Sequence, residues 1–248
     1  MSCSDLADSY LRHRVAVVDV ASAEFRRARA EVLSPGYSVD VCLRRLVAAG
    51  RVRRIGRGLY LVIDPVRETP AIAVASAIFA ETRHYVTTDA ALAYEGLIDQ
   101  PVATITVVLP RARRPLSLDS ATTLRPVTLD EARLVAADAF ETTLDGFRIR
   151  VAGREQAVVD ALAEPRWMVH VDLLPEVLAA FSDDEIARTA AGAMARTTAA
   201  AQRLGYLLEE AGKALPPALA NLRPVRAVRL RPQRSGRGPY STRWRVYG

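Results

Sequence analysis

At Gly50 the chain changes its period. Upstream, Val39, Leu43, Leu46 and Val47 recur at helical spacing. Downstream, Arg51-Val52-Arg53-Arg54-Ile55 and Leu59-Tyr60-Leu61-Val62 are two short strand-like runs. Gly56-Arg57-Gly58 joins them as a tight hairpin with an arginine at its tip. Glycine readily ends a helix in a left-handed turn, so Gly50 marks the end of a helix over residues 39–49. Ser38 stands at the N-cap, and Asp40 lies in the first turn, where the helix dipole favours a negative charge.

A second helix is read just before it. Asp19 to Leu33 is rich in alanine, glutamate and arginine, Phe25 and Val32 share a stripe with Val18, and Ser34-Pro35-Gly36 breaks the run. At about 100° per residue, Val39, Leu43, Leu46 and Val47 turn to a core. Tyr37, Val41, Arg45 and Ala48 point the other way, with Arg44 at the edge. Helix, helix, basic hairpin is the order of a winged helix-turn-helix, in which the second helix enters the major groove and the wing follows phosphates or the minor groove. The DNA-contacting candidates are therefore Tyr37, Ser38, Val41, Arg44 and Arg45 on the helix, and Arg51, Arg53, Arg54 and Arg57 on the wing. A solvated hairpin in an ordinary small domain has the same pattern, and helix-hairpin units also serve as protein–protein modules. Gly56-Arg57-Gly58 lies between strands and opens no helix, so it is not a nucleotide loop.

Charge supports a localised polyanion site. Residues 1–66 carry eleven arginines against seven acids, residues 67–221 fifteen bases against twenty-one acids, and residues 222–248 eight arginines and no acid. The body is acidic and both ends are basic. Lys213 is the one lysine, so the arginine content also reflects a composition bias. Half the residues are hydrophobic, enough for a real core. The longest strongly apolar stretch, residues 71–80, is about half of what a bilayer requires. No secretion signal is read at the N-terminus, and Cys3 and Cys42 make neither a metal spacing nor a disulfide framework. A reducing cytoplasm is the expected setting.

The polar, proline-flanked segment Asp64 to Pro70 places a domain boundary, giving residues 1–66 and 67–248. In the larger part, residues 71–81 read as an apolar helix, and Thr87 or Thr88 caps a helix over residues 89–94 that Gly96 ends. Residues 104–109 read as a strand covered on both faces. Residues 128–131 form a capping-box pattern, and Asp145-Gly146 joins two strands in a hairpin. Ser182 to Glu185 is a second capping box, opening an alanine-rich helical region broken near Gly192. The tail reads as two strands, residues 225–230 and 242–247, with Trp244 and Tyr247 as packing residues. The expected class is α+β: a winged helix-turn-helix followed by a larger mixed α/β domain with a helical C-terminal part.

A second basic surface is offered by Arg111, Arg113 and Arg114 after the central strand and by Arg229 and Arg231 in the tail. It contacts nucleic acid or an acidic partner, or it is solvated. His13, His84 and His170 have no ligand spacing, and there is no Gly-x-Ser-x-Gly elbow and no Walker loop. Asp160 and Glu164 share a helix face at i, i+4, which reads as a solvated or salt-bridged face before a metal site. Neither catalytic residues nor cofactor or metal ligands are assigned.

The segment "VCLRRLVAAGRVRRIGRGLYLV" resembles the winged-helix end of AbiEi-type antitoxins, the regulator half of type IV toxin–antitoxin pairs. "HYVTTDAALAYEGLIDQPVATITVVLP", "VAGREQAVVDALAEP" and "AAQRLGYLLEEAG" are similar to that family's later segments, in the same order, over most of residues 38–212. The resemblance implies an operon-borne antitoxin that represses its own operon through the N-terminal domain. It also implies that the C-terminal domain counteracts a nucleotidyltransferase-like toxin, without requiring a stable complex. The partners expected are operator DNA and that toxin, with no membrane; the oligomeric state stays open. The alternatives are a winged-helix regulator whose C-terminal domain senses a ligand or dimerises, and a nucleic-acid enzyme with a winged-helix targeting domain.

Overall fold

A computed structural model describes residues 3–13, 15–32, 38–232 and 238–248. Tyr37, and the Ser34-Pro35-Gly36 break, lie outside the described residues. Packing groups the chain into two compact units, Met1–Val86 with Val107–Leu134 and Glu141–Arg150, and Thr87–Thr106 with Val135–Phe140 and Val151–Gly248.

The first unit opens with α1 (Cys3–Arg12), β1 (Val17–Asp19), α2 (Ala23–Val32), α3 (Val39–Ala48), β2 (Val52–Gly56) and β3 (Leu59–Val62). Leu6 and Tyr10 of α1, Val18 of β1, Phe25 of α2, Cys42, Leu43 and Leu46 of α3 and Val52 and Val62 of the hairpin make one core. The three strands form an antiparallel sheet in the order β1-β3-β2. Its register sets Val18 opposite Tyr60 and Arg54 opposite Tyr60 on the other edge.

Three expectations change here. The helix expected from Asp19 begins at Ala23, because Val17–Asp19 pairs with β3 and Asp19 instead accepts from the Ala21 amide at 2.9 Å. Helix α1 and strand β1 have no counterpart in the reading of the sequence. On α3, Val47 is 42% exposed and Cys42 is fully buried, so the apolar face is rotated toward Cys42. Val39 packs against the core's edge. Val32's side chain is outside the described residues, while Phe25 and Val18 do share the core.

The chain continues through α4 (Ala71–Ile78), β4 (Tyr85–Thr87), α5 (Asp89–Tyr94), β5 (Thr104–Leu109), β6 (Leu116–Ser117), β7 (Thr123–Thr128), α6 (Glu131–Ala136), β8 (Ala139–Leu144) and β9 (Phe147–Ala152). These strands form a six-stranded sheet, β6-β7-β5-β4-β9-β8. Residues 105–109 are all buried, as an almost continuous apolar strand requires. Asp145 and Gly146 both have positive φ, 52° and 84°, which is the backbone a two-residue hairpin needs. Helix α6 is capped by Asp130, whose carboxylate accepts from the Arg133 amide at 3.0 Å, and not by Thr128.

The second unit is mainly helical after β9. It holds α7 (Arg154–Ala163), two single-turn 3-10 segments (Pro165–Trp167 and Val171–Leu173), α8 (Leu174–Ala179), α9 (Asp183–Arg196), α10 (Thr198–Glu210) and α11 (Pro217–Ala220). The capping box at Ser182 forms as expected. The expected break at Gly192 does not. A Cβ at Gly192 would stand 3.0 Å from Val159, so this glycine lets α9 lie close to α7, and the helix ends instead at extended Thr197, φ −160°. The tail adds β10 (Val228–Arg229), β11 (Tyr240–Ser241) and β12 (Val246–Tyr247), a small sheet in the order β10-β12-β11. Trp244 is 1% exposed against Gly205, and its indole N–H donates to Glu209 at 2.6 Å, so it packs.

Candidate nucleic-acid interface

Helix α3 is held by its core face and presents its other face outward. Ser38 caps it by accepting from the Val41 amide at 3.5 Å, and Gly50 closes it at φ +66°. Arg44 and Arg45 are exposed and Val41 is half-buried. Arg44 lies back along the helix, its Nε donating to the Asp40 carbonyl at 3.3 Å.

On the hairpin the four arginines divide. Arg51 is half-buried and forms an ion pair with Asp8 of α1, so its charge is balanced within the fold. Arg53, Arg54 and Arg57 are exposed and form no ion pair among the described residues. Strict alternation would turn one of Arg53 and Arg54 inward. The register slips between Arg54 and Gly56, and the strand's burial reads in, out, out, in, which leaves both arginines in solvent. Asp119 lies within reach of Arg53's field. The amides of Ala121 and Thr122 lower its carboxyl's pKa first, and Arg53 lowers it further.

That the two basic clusters of this unit meet is not visible in the sequence. A Cβ at Gly56 would stand 3.3 Å from the Leu116 side chain, so the loop carrying Arg113 and Arg114 seats against the hairpin. Arg57, Arg113 and Arg114 line one cavity of about 930 Å³ within this unit. Arg111 is exposed in the same loop. Arg229 and Arg231 belong to the second unit, where Arg231 pairs with Asp172 and the Arg229 carbonyl accepts from Arg203 at 2.9 Å.

The second unit contains a buried polar node that reading the sequence as caps and solvated faces missed. Asp160 is fully buried and accepts from Thr87 Oγ1 at 2.9 Å and Gln156 Nε2 at 3.0 Å, with Arg196 at 3.9 Å. Glu164 is exposed, so the two carboxylates are not one site. Asp89, 1% exposed, accepts from the amides of Val169 and His170 at 2.9 and 2.8 Å and from the His170 ring at 2.8 Å. Thr88 has φ 53° and makes no capping bond; its hydroxyl and that of Thr106 both donate to the Trp167 carbonyl, at 3.1 and 2.8 Å. The node ties the turn at residues 87–89 to the loop after α7. The only sequence signal was the run of polar residues Thr87-Thr88-Asp89 beside apolar neighbours. No group of three His, Cys, Asp or Glu able to hold a metal exists among the described residues. Among them, no helix is long and apolar enough to cross a membrane.

Known proteins resemble the chain at two scales. Over nearly its whole length, the crystal structure of the RV2827C protein from Mycobacterium tuberculosis has a similar fold, with a TM-score of 0.65, 20% identity, and coverage of 98% of this chain and 90% of that one. No curated protein matches the sequence at a significant level. The family model for the AbiEi antitoxin C-terminal domain matches residues 85–210, just over half of the chain, from the first residue of β4 to the last of α10. With that model matching more than half of the chain, the chain belongs to the AbiEi-type antitoxin family.

Proposed function

We propose that this protein is the antitoxin of a type IV toxin–antitoxin pair, working in the cytoplasm. Residues 67–248 counteract a nucleotidyltransferase-like toxin, and residues 1–66 act as a winged helix-turn-helix that represses the protein's own operon. The observation that carries the antitoxin half is the family match over residues 85–210. The DNA-binding half is supported by outward-facing arginines on α3 and on the β2–β3 hairpin, two elements whose opposite faces form one core. In that reading α3 lies in the major groove with Arg44 and Arg45, and Arg53, Arg54 and Arg57 follow the phosphates.

Growth tests the first half. The neighbouring gene expressed alone is expected to arrest growth, and co-expression of the full chain to restore it. A harmless neighbour, or arrest that the full chain leaves untouched, overturns the antitoxin reading. Fluorescence anisotropy tests the second half, with a labelled duplex from the protein's own promoter and a random duplex of equal length. Tighter binding to the promoter duplex is expected, and equal binding to both removes operator recognition. Because the two assays are separate, the full chain carrying Arg53→Ala, Arg54→Ala and Arg57→Ala is expected to rescue growth while losing DNA affinity.

A further inference from the structure

We propose that the cavity of the first unit binds a nucleoside phosphate. The cavity, about 930 Å³, is bounded by the start of β1, the hairpin tip, α4 and the turn after it, the loop after β5, and the β8–β9 hairpin. Its size is near the upper end for small-molecule sites. Its lining divides into two kinds of chemistry.

The first is cationic. Arg57, Arg113, Arg114 and Arg148 lie on its wall, all exposed, and none forms an ion pair among the described residues. Three carboxylates share the same wall. Glu141 pairs with Arg150 at 3.2 Å, while Asp19 and Glu81 accept from the Ala21 and Ala23 amides at 2.9 Å and keep their charge. Four unpaired guanidinium groups outnumber those two carboxylates and fit a phosphate, which accepts their paired N–H groups.

The second is aromatic and selectively polar. Phe79 and His84 bring their rings to 6.3 Å, tilted by 52°. His84 is 6% exposed. Its Nδ1 faces the Thr82 carbonyl at 2.8 Å and so carries the hydrogen, which leaves Nε2 as an acceptor. Burial first, and the charge of Arg150 after it, lower the pKa of His84, so the ring is neutral and Nε2 keeps its lone pair. That Nε2 is buried without a hydrogen-bond partner among the described residues. The Nε–H of Arg150 is buried and unpartnered in the same way. A buried acceptor and a buried donor, each costly to leave unmade, lie near enough for the charge of one to act on the other. Both atoms have almost no accessible surface, so a ligand in the cavity meets the rings rather than these two atoms. A nucleobase stacks on such rings, an inorganic anion would satisfy only the arginines, and an apolar ligand would leave the arginines unpaired.

Calorimetric titration of the full chain tests the proposal with ATP, GTP, pyrophosphate and the two nucleosides as probes. ATP or GTP is expected to saturate one site and to bind at least about tenfold more tightly than pyrophosphate or the nucleosides, since only the nucleotide engages both halves. Arg113→Ala with Arg114→Ala, both exposed positions, is expected to weaken nucleotide binding by about tenfold or more. His84→Gln, which removes the ring beside Phe79, is expected to weaken ATP or GTP while leaving pyrophosphate unchanged, and equal loss for both would count against a base in the cavity. Pyrophosphate binding as tightly as ATP and GTP would reduce the cavity to a basic surface. No saturable nucleotide binding, or nucleotide binding that the arginine pair leaves unchanged, would overturn the proposal outright.

Discussion

Arg203 of the second unit is 8% exposed and holds backbone in place, its Nε donating to the Arg229 carbonyl at 2.9 Å and Nη1 to the Leu162 carbonyl at 2.6 Å. Arg53, Arg54 and Arg57 of the first unit face solvent without a carboxylate partner among the described residues. The same contrast repeats elsewhere. In the second unit Arg154 bridges Glu95 and Glu185 at 3.0 and 3.3 Å, Arg188 grips Glu155 at 2.7 Å, and Arg243 pairs with Glu209. In the first unit Arg113, Arg114 and Arg148 remain exposed. Arginine abundance alone therefore says little. What distinguishes a structural guanidinium from one offered to a ligand is whether the fold buries it or balances its charge; Arg44 and Arg54 each donate to a nearby carbonyl, at 3.3 and 3.2 Å, yet stay exposed.

Removing arginines should separate the two uses by their effect on stability. Arg203→Met strips donors from the carbonyls of Arg229, Leu162 and Ala163 and is expected to cost about 3 kcal/mol, read from the urea midpoint. The partial burial of Arg203 lowers its pKa to about 10, so the group stays charged at neutral pH and the destabilisation should be present there. A cost below about 1 kcal/mol would break the contrast. Arg154→Ala is expected to cost about 1 kcal/mol, because its partners are partly solvated.

Acid should sharpen the same comparison. The Ser182 amide and hydroxyl, and then the charges of Arg154 and Arg188, hold the Glu185 carboxyl below its ordinary value of 4.5. Its folded pKa is thus lower than its unfolded one, so its contribution is complete above pH 4.5 and declines as pH falls through and below that value. Glu185→Gln is expected to flatten stability against pH in that window. An unchanged acid slope would remove the capping box as its source.

The smallest stability effect is expected from the hairpin. Arg53→Ala, Arg54→Ala and Arg57→Ala together should shift stability by no more than about 0.5 kcal/mol. The same variant should lower the salt dependence of DNA binding by about 0.9 log unit for each phosphate it no longer neutralises. A large drop in stability would make these arginines structural after all. An unchanged salt slope would take the hairpin out of the DNA interface.

Local signals were legible where one short stretch decides the outcome. The α3 cap at Ser38, the glycine at position 50, the β2–β3 and β8–β9 hairpins, the buried β5 strand and the Ser182 capping box each follow from a few adjacent residues. The order of segments was also enough to carry the antitoxin family. The misses depended on partners distant in the chain. Val17–Asp19 is too short to announce itself, and becomes a strand because β3 offers its open edge. Gly192 reads as a helix breaker until Val159 of α7 is found against it. Asp160 reads as a wet carboxylate until Thr87, seventy-three residues away, donates to it.

The sequence by itself determined the mixed α and β character, the basic hairpin and the family, because propensity, capping and charge act over a handful of residues. Only the tertiary structure decided which charges are neutralised and which face outward. It set Arg51 against Asp8, buried Asp160 and left Glu164 exposed, and brought Arg57, Arg113 and Arg114 to one cavity wall. Electrostatic pairing and burial depend on distance in space, and that distance is settled only when segments far apart in the chain pack together.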